Sequence, residues 1–181
     1  MSLSNCSVLF TITTCLDLEG KFEQCKQSLK TLFENETDLN LIYKFVLINE
    51  YYTKENTVNK IEYIKTHYPM FEIIQKTEKY RGQSHSINMI LDILRKELPV
   101  YWIHWEESWI TKNKFIRDAL NILNENTNVG QLQLACGWND ICTEQNGKLW
   151  TTSPEYLKRI ETKLGNIPIK HCKWKKQPWP L

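Results

Sequence analysis

Four short segments of this sequence carry side chains that either line a ligand site or belong to solvated loops. Thr13-Thr14-Cys15, Asn49-Glu50-Tyr51-Tyr52 and His104-Trp105-Glu106-Glu107-Ser108-Trp109 each follow an apolar run and turn polar or aromatic where it stops. Paired carboxylates such as Glu106 and Glu107 can hold Mg²⁺ or Mn²⁺ and, through the ion, a diphosphate. An exposed acidic turn is the plainer alternative. Trp105 and Trp109 beside them suit a partly buried site or a platform for a sugar or base. His104 either assists there or is simply a hydrogen-bonded histidine at a strand end. The fourth segment runs from Arg81 to Asn88 (RGQSHSIN). Gly82 frees the backbone ahead of a helix, Ser84 can cap that helix, and Arg81 brings a charge suited to phosphate. A capped helix start with no ligand is the competing reading, since the chain has neither a Walker loop nor a G-x-G-x-x-G run.

The elements that must position these segments alternate between strand and helix. That pattern predicts a single α/β, Rossmann-like domain with a mainly parallel central sheet flanked by helices. Ser7–Thr14, Tyr43–Asn49, Phe71–Gln75, Val100–Trp105 and Val129–Ala135 read as strands from their apolar, β-branched runs. Leu18–Phe33, Lys54–His67, Ser84–Leu98 and Lys112–Asn124 repeat apolar residues at spacings of three and four and read as amphipathic helices. Asn146-Gly147 suggests a hairpin near Ile141–Thr151. Ser153-Pro154-Glu155 has the chemistry of a helix start, so a last helix is predicted to about Leu164, with Gly165 as its stop. The domain is expected over residues 1–167, followed by a basic tail containing Trp and Pro over 168–181. Open α/β sheets bind ligands at the carboxyl ends of their strands, which would bring the first three segments to one edge.

Composition narrows the function classes. The 181 residues carry a formal net charge of +2, which argues against a dedicated nucleic-acid binder. The lysine- and tryptophan-bearing end, KHCKWKKQPWPL, is the one segment that could stack on bases and touch phosphates. No apolar run approaches the ~20 residues of a membrane span. The apolar start, Val8–Ile12, reads as a strand rather than a signal-peptide core. A cytoplasmic location is therefore expected. The six cysteines are scattered, with no Cys-x-x-Cys and no zinc-type spacing, so free thiols are expected.

The order SVLFTITTC, KFVLINE, RGQSHSINMIL, VYWIHWEESW resembles the N-terminal region of family 2-type glycosyltransferases of the GT-A fold, over roughly Ser7 to Ala135. The resemblance implies a GT-A-like domain that moves a sugar, with inversion, from a nucleotide diphosphate sugar such as a UDP-sugar to an acceptor. That is hexosyltransferase-type chemistry; the acceptor could be a glycan, a protein or a small molecule. It places Thr13, Thr14 and Glu50 at the nucleoside and Arg81, Gly82, Ser84 and Asn88 along the nucleotide sugar. Glu106, Glu107 and Ser108 fall on the acidic motif that holds Mn²⁺ or Mg²⁺ in such enzymes, and Trp109 on the aromatic that often follows. Ser108 stands where that motif has a carboxylate; a neutral hydroxyl brings no charge to a divalent ion, so metal affinity should fall unless Glu106 and Glu107 compensate. The acceptor hydroxyl also needs a general base. Asp140, Glu144 and Glu155 are the candidates on the C-terminal side. The alternative on the same fold is a non-catalytic module that binds a nucleotide, a sugar or a protein.

Overall fold

The structure is a computed structural model of the chain; it describes residues 7–51 and 57–126 in full, and the backbone of 155–162 and 165–171. The chain divides into two compact units, Met1–Arg117 and Asp118–Leu181.

The first unit is a four-stranded parallel sheet with helices on its faces. Its strands are β1 (Val8–Thr14), β2 (Ile42–Asn49), β3 (Phe71–Gln75) and β4 (Tyr101–Glu106), in the spatial order β3-β2-β1-β4. All three pairings are parallel, with Val8 beside both Ile42 and Tyr101, and Phe45 beside Phe71. Every residue of β1 is buried, as expected of a central strand covered on both faces. Three helices link the strands: α1 (Glu19–Asn35), α2 (Thr57–His67) and α3 (Gln83–Glu97).

Alternation along the strands sorts the core into two layers. Phe10, Phe45, Phe71 and Trp105 share one face, with Phe10 at 5.5, 6.2 and 6.1 Å from the other three rings. Phe33 of α1 packs onto that face, 6.0 Å from Phe45. Tyr63 of α2 meets Phe22 of α1 at 5.6 Å, which puts α2 on the same side. Leu9, Val46 and Ile48 point the other way and pack with Ile90 of α3, joined by Ile74, Ile87 and Leu94. The rule that parallel crossovers are right-handed accounts for the switch. The chain steps outward from β1 to β2 to β3 over one face; stepping back to β4, it must cross the other.

Buried polar groups fasten the layers. Asn49, fully buried, accepts a hydrogen bond from Leu16 N (2.7 Å) and donates to Gln75 Oε1 (2.7 Å), tying the β1–α1 turn to the β2 and β3 ends. Glu36 is buried and accepts from the backbone N–H groups of Asp38, Phe115 and Ile116 at 2.8–2.9 Å. Its carboxylate thereby satisfies donors at the start of α4 (Ile116–Glu125), where a helix has N–H groups without partners of their own. Cys15 and Cys25 are free thiols; burial pushes the Cys25 thiol up to about 12.

The second unit holds most of α4 and an antiparallel pair, β5 (Glu155–Thr162) and β6 (Gly165–His171). The helix expected from Ser153 to Leu164 is therefore a strand over its described part. Ser-Pro-Glu is a local start signal, and antiparallel pairing with the strand that follows, from Thr162 with Gly165 to Glu155 with His171, overrides it. β6 also runs through Pro168, across the boundary expected between domain and tail. The strand expected at Val129–Ala135 and the hairpin near Ile141–Thr151 lie outside the described residues. Among the described residues no helix is long and apolar enough to cross a membrane.

Candidate functional site

The carboxyl edge of the sheet opens into a cleft of about 450 Å³ within the first unit. Its walls are Thr13, Thr14 and Cys15 at the end of β1, Glu50 and Tyr51 after β2, Arg81, Gly82, Gln83 and Ser86 at the start of α3, and Glu106 and Glu107 at the end of β4, with Lys21 from the first turn of α1. β1 lies between β2, reached by a crossover on one face, and β4, reached across the other. Such a reversal of strand order leaves a crevice where open α/β sheets take ligands. Thr13, Thr14, Glu50, Glu106 and Glu107 thus meet at the sheet edge where their strand ends were expected, and Arg81 and Gly82 join them from the start of α3. Ser84, Asn88 and Ser108 are exposed and do not line the cleft.

Behind the wall formed by Glu50, Gly82 and Ser86 lies Lys76, a residue with no sequence signal of its own. Its side chain is 0% exposed and its ammonium donates to Glu50 Oε2 (2.7 Å), Gly82 O (2.8 Å) and Ser86 Oγ (3.0 Å). Glu50 Oε1 in turn accepts from Gly82 N at 3.1 Å and Tyr51 N at 3.2 Å. Lys76 and Glu50 therefore lock the Gly82 turn against the ends of β2 and β3. Above it, the Arg81 guanidinium lies over the Tyr51 ring, 5.2 Å from its centroid, and 3.6 Å from the exposed Glu78 carboxylate.

Gly82, not Ser84, is the N-cap of α3, and no side chain caps the helix. The backbone there has φ 92° and ψ 149°, a region close to glycine-only. An added Cβ would meet nothing within 4 Å, so the constraint is conformational rather than steric. Gly82→Ala is expected to cost about 1–3 kcal/mol, read as a lower urea midpoint at unchanged slope.

On the β4 side, Glu107 is buried and ion-paired with Lys21, while Glu106 is partly exposed with its Oε1 3.8 Å from His104 Nε2. Burial holds the His104 pKa below its ordinary value, opposed by the Glu106 charge. His104 Nδ1 lies 3.3 Å from Thr11 Oγ1, which accepts from the Trp102 indole at 2.8 Å, so this histidine belongs to a small polar cluster on the sheet. Trp105 is a core residue rather than a ligand platform: its ring stacks on Phe115 at 5.5 Å and its N–H donates to Ser28 Oγ at 2.8 Å. Trp109 closes the turn, its backbone N–H donating to Glu106 O at 3.1 Å.

Of the candidate bases, Asp140 and Glu144 lie outside the described residues, and Glu155 is the first residue of β5 in the second unit. The cleft combines two accessible cations, a helix N-terminus, an aromatic ring and a partly exposed carboxylate. That combination suits an anionic ligand with an apolar, stackable part. Compared with known protein families and with curated proteins, the sequence matches none.

Proposed function

We propose that the first unit binds a nucleotide diphosphate sugar and that the protein is a glycosyltransferase that passes the sugar to an acceptor. The observation that carries this reading is the convergence of four sequence segments on one cleft at the switch point of a parallel sheet. The nucleoside would lie along Thr13, Thr14 and the Glu50–Tyr51 turn. The phosphates would meet Arg81 and the first N–H groups of α3, whose orientation favours an anion. The proton of the acceptor hydroxyl would pass to a carboxylate, with Asp140, Glu144 and Glu155 as candidates; the acceptor would be a glycan, a protein or a small molecule. A cytoplasmic setting belongs to the same proposal.

Calorimetric titration with UDP, UDP-sugars and GDP-sugars tests it. One of them is expected to bind wild-type protein and to lose at least about tenfold in affinity in Arg81→Ala, the scale of one charge-assisted phosphate contact. Absence of binding by all of them would sink the reading. A second reading, a binding module without catalysis, is favoured by the exposure of Ser108 outside the cleft and by the engagement of Glu107 with Lys21. Nucleotide-sugar binding with neither hydrolysis nor transfer would select it.

A further inference from the structure

One of the two adjacent carboxylates on the β4 side of the cleft already has a cation. Glu107 is 7% exposed, and its Oε1 accepts a hydrogen bond from the Lys21 ammonium. Mg²⁺ keeps several waters and is held by one or two protein carboxylates together with substrate phosphates, and Mn²⁺ also favours carboxylate oxygens. On this edge both carboxylates already have neighbours. Ser108 is exposed and off the cleft wall, and the Glu106 carboxylate stands beside an imidazole at 3.8 Å. Among the described residues no three His, Cys, Asp or Glu side chains gather as a metal site. For an ion to use Glu107, it would have to displace an ammonium from a nearly dry carboxylate. The residues present therefore do not fit a resident divalent ion.

They do fit a fixed ammonium. Lys21 sits in the first turn of α1 and its side chain is 45% exposed, on the cleft wall. An ammonium has three donors. Glu107 takes one, which aims the group without covering it and leaves two for a ligand. Arg81 stands on the same cleft, so a ligand there can be met by two cations from different helix starts.

We propose that Lys21, positioned by Glu107, does the work of a divalent ion, so that phosphates bind to Lys21 and Arg81 without metal. This rests on the nucleotide reading above. Calorimetry of the full chain with UDP, in EDTA and in excess Mn²⁺, provides the test. Equal affinity in both conditions is expected. Lys21→Met is expected to weaken binding at least about tenfold, and Lys21→Arg to restore most of the loss. The double variant Lys21→Met/Glu107→Gln keeps the site free of an unpaired buried charge; it should fold as wild type and bind as weakly as Lys21→Met. UDP binding that appears only with Mn²⁺, or that survives Lys21→Met and the double variant unchanged, overturns the assignment. Failure of every nucleotide in both conditions overturns the nucleotide reading, and the lysine assignment with it.

Discussion

Lys76→Met is expected to destabilise the protein by about 3 kcal/mol, at the lower end of the range for breaking a buried ion pair. The lower end applies because Glu50 keeps 22% of its side chain in solvent and can recover some hydration. Three acceptors lose their donor at once: the Glu50 carboxylate, the Gly82 carbonyl and the Ser86 hydroxyl. Methionine fills the space and cannot donate, so the loss reflects stranded acceptors rather than a cavity. Urea unfolding of Lys76→Met, Glu50→Gln and the double variant separates the terms. The double variant should be less destabilised than the sum of the two singles, because neither change strands a charge when both are made. Equal and additive costs would show that the pair is not coupled.

Phe10→Ala is expected to cost about 3–5 kcal/mol, the range for removing a large aromatic from a close-packed interior. Phe10 is 0% exposed, and its ring is the one that touches Phe45, Phe71 and Trp105 together. These residues sit on β2, β3 and β4, so the hole opens where side chains from the other three strands of the sheet meet. Phe10→Leu refills part of that volume and should recover a good part of the loss. A midpoint shift no larger for alanine than for leucine would contradict the packing described.

Most of the first unit was legible in the sequence for a simple reason. Strands buried on both faces must be near-continuous apolar runs, so VLFTI and FVLI declare themselves, and the helices between them show their stripes. The site's outline was legible for a related reason: polar residues that end such a run have to lie at the sheet's edge. The parts that escaped are those set by partners distant in sequence. Lys21 looks like any lysine on the wet face of a helix until Glu107, 86 residues later, is placed beside it. Lys76 and Asn49 are ordinary residues at strand ends whose roles come from what they meet. Local signals also misled at two points. Ser84 has the right chemistry for a cap, yet the backbone at Gly82 starts the helix earlier. Ser153-Pro154-Glu155 resembles a helix start, and Glu155–Thr162 instead finds a strand partner in β6.

The position of β1 at the middle of the sheet also governs how the molecule comes into being. One neighbour, β2, follows after a single helix; the other arrives far later, with Thr11 meeting His104 across 93 residues. Closing so long a loop costs entropy before any hydrogen bond rewards it, and topologies of this kind fold slowly. On the ribosome, a chain that has emerged only through β3 exposes a long, apolar β1 with one edge open, a template for wrong pairing. β4 covers that edge and at the same step carries in Glu106 and Glu107. The acidic wall of the cleft is thus the last part of it to be delivered, and a nascent chain cannot hold ligand there until its central strand has been protected.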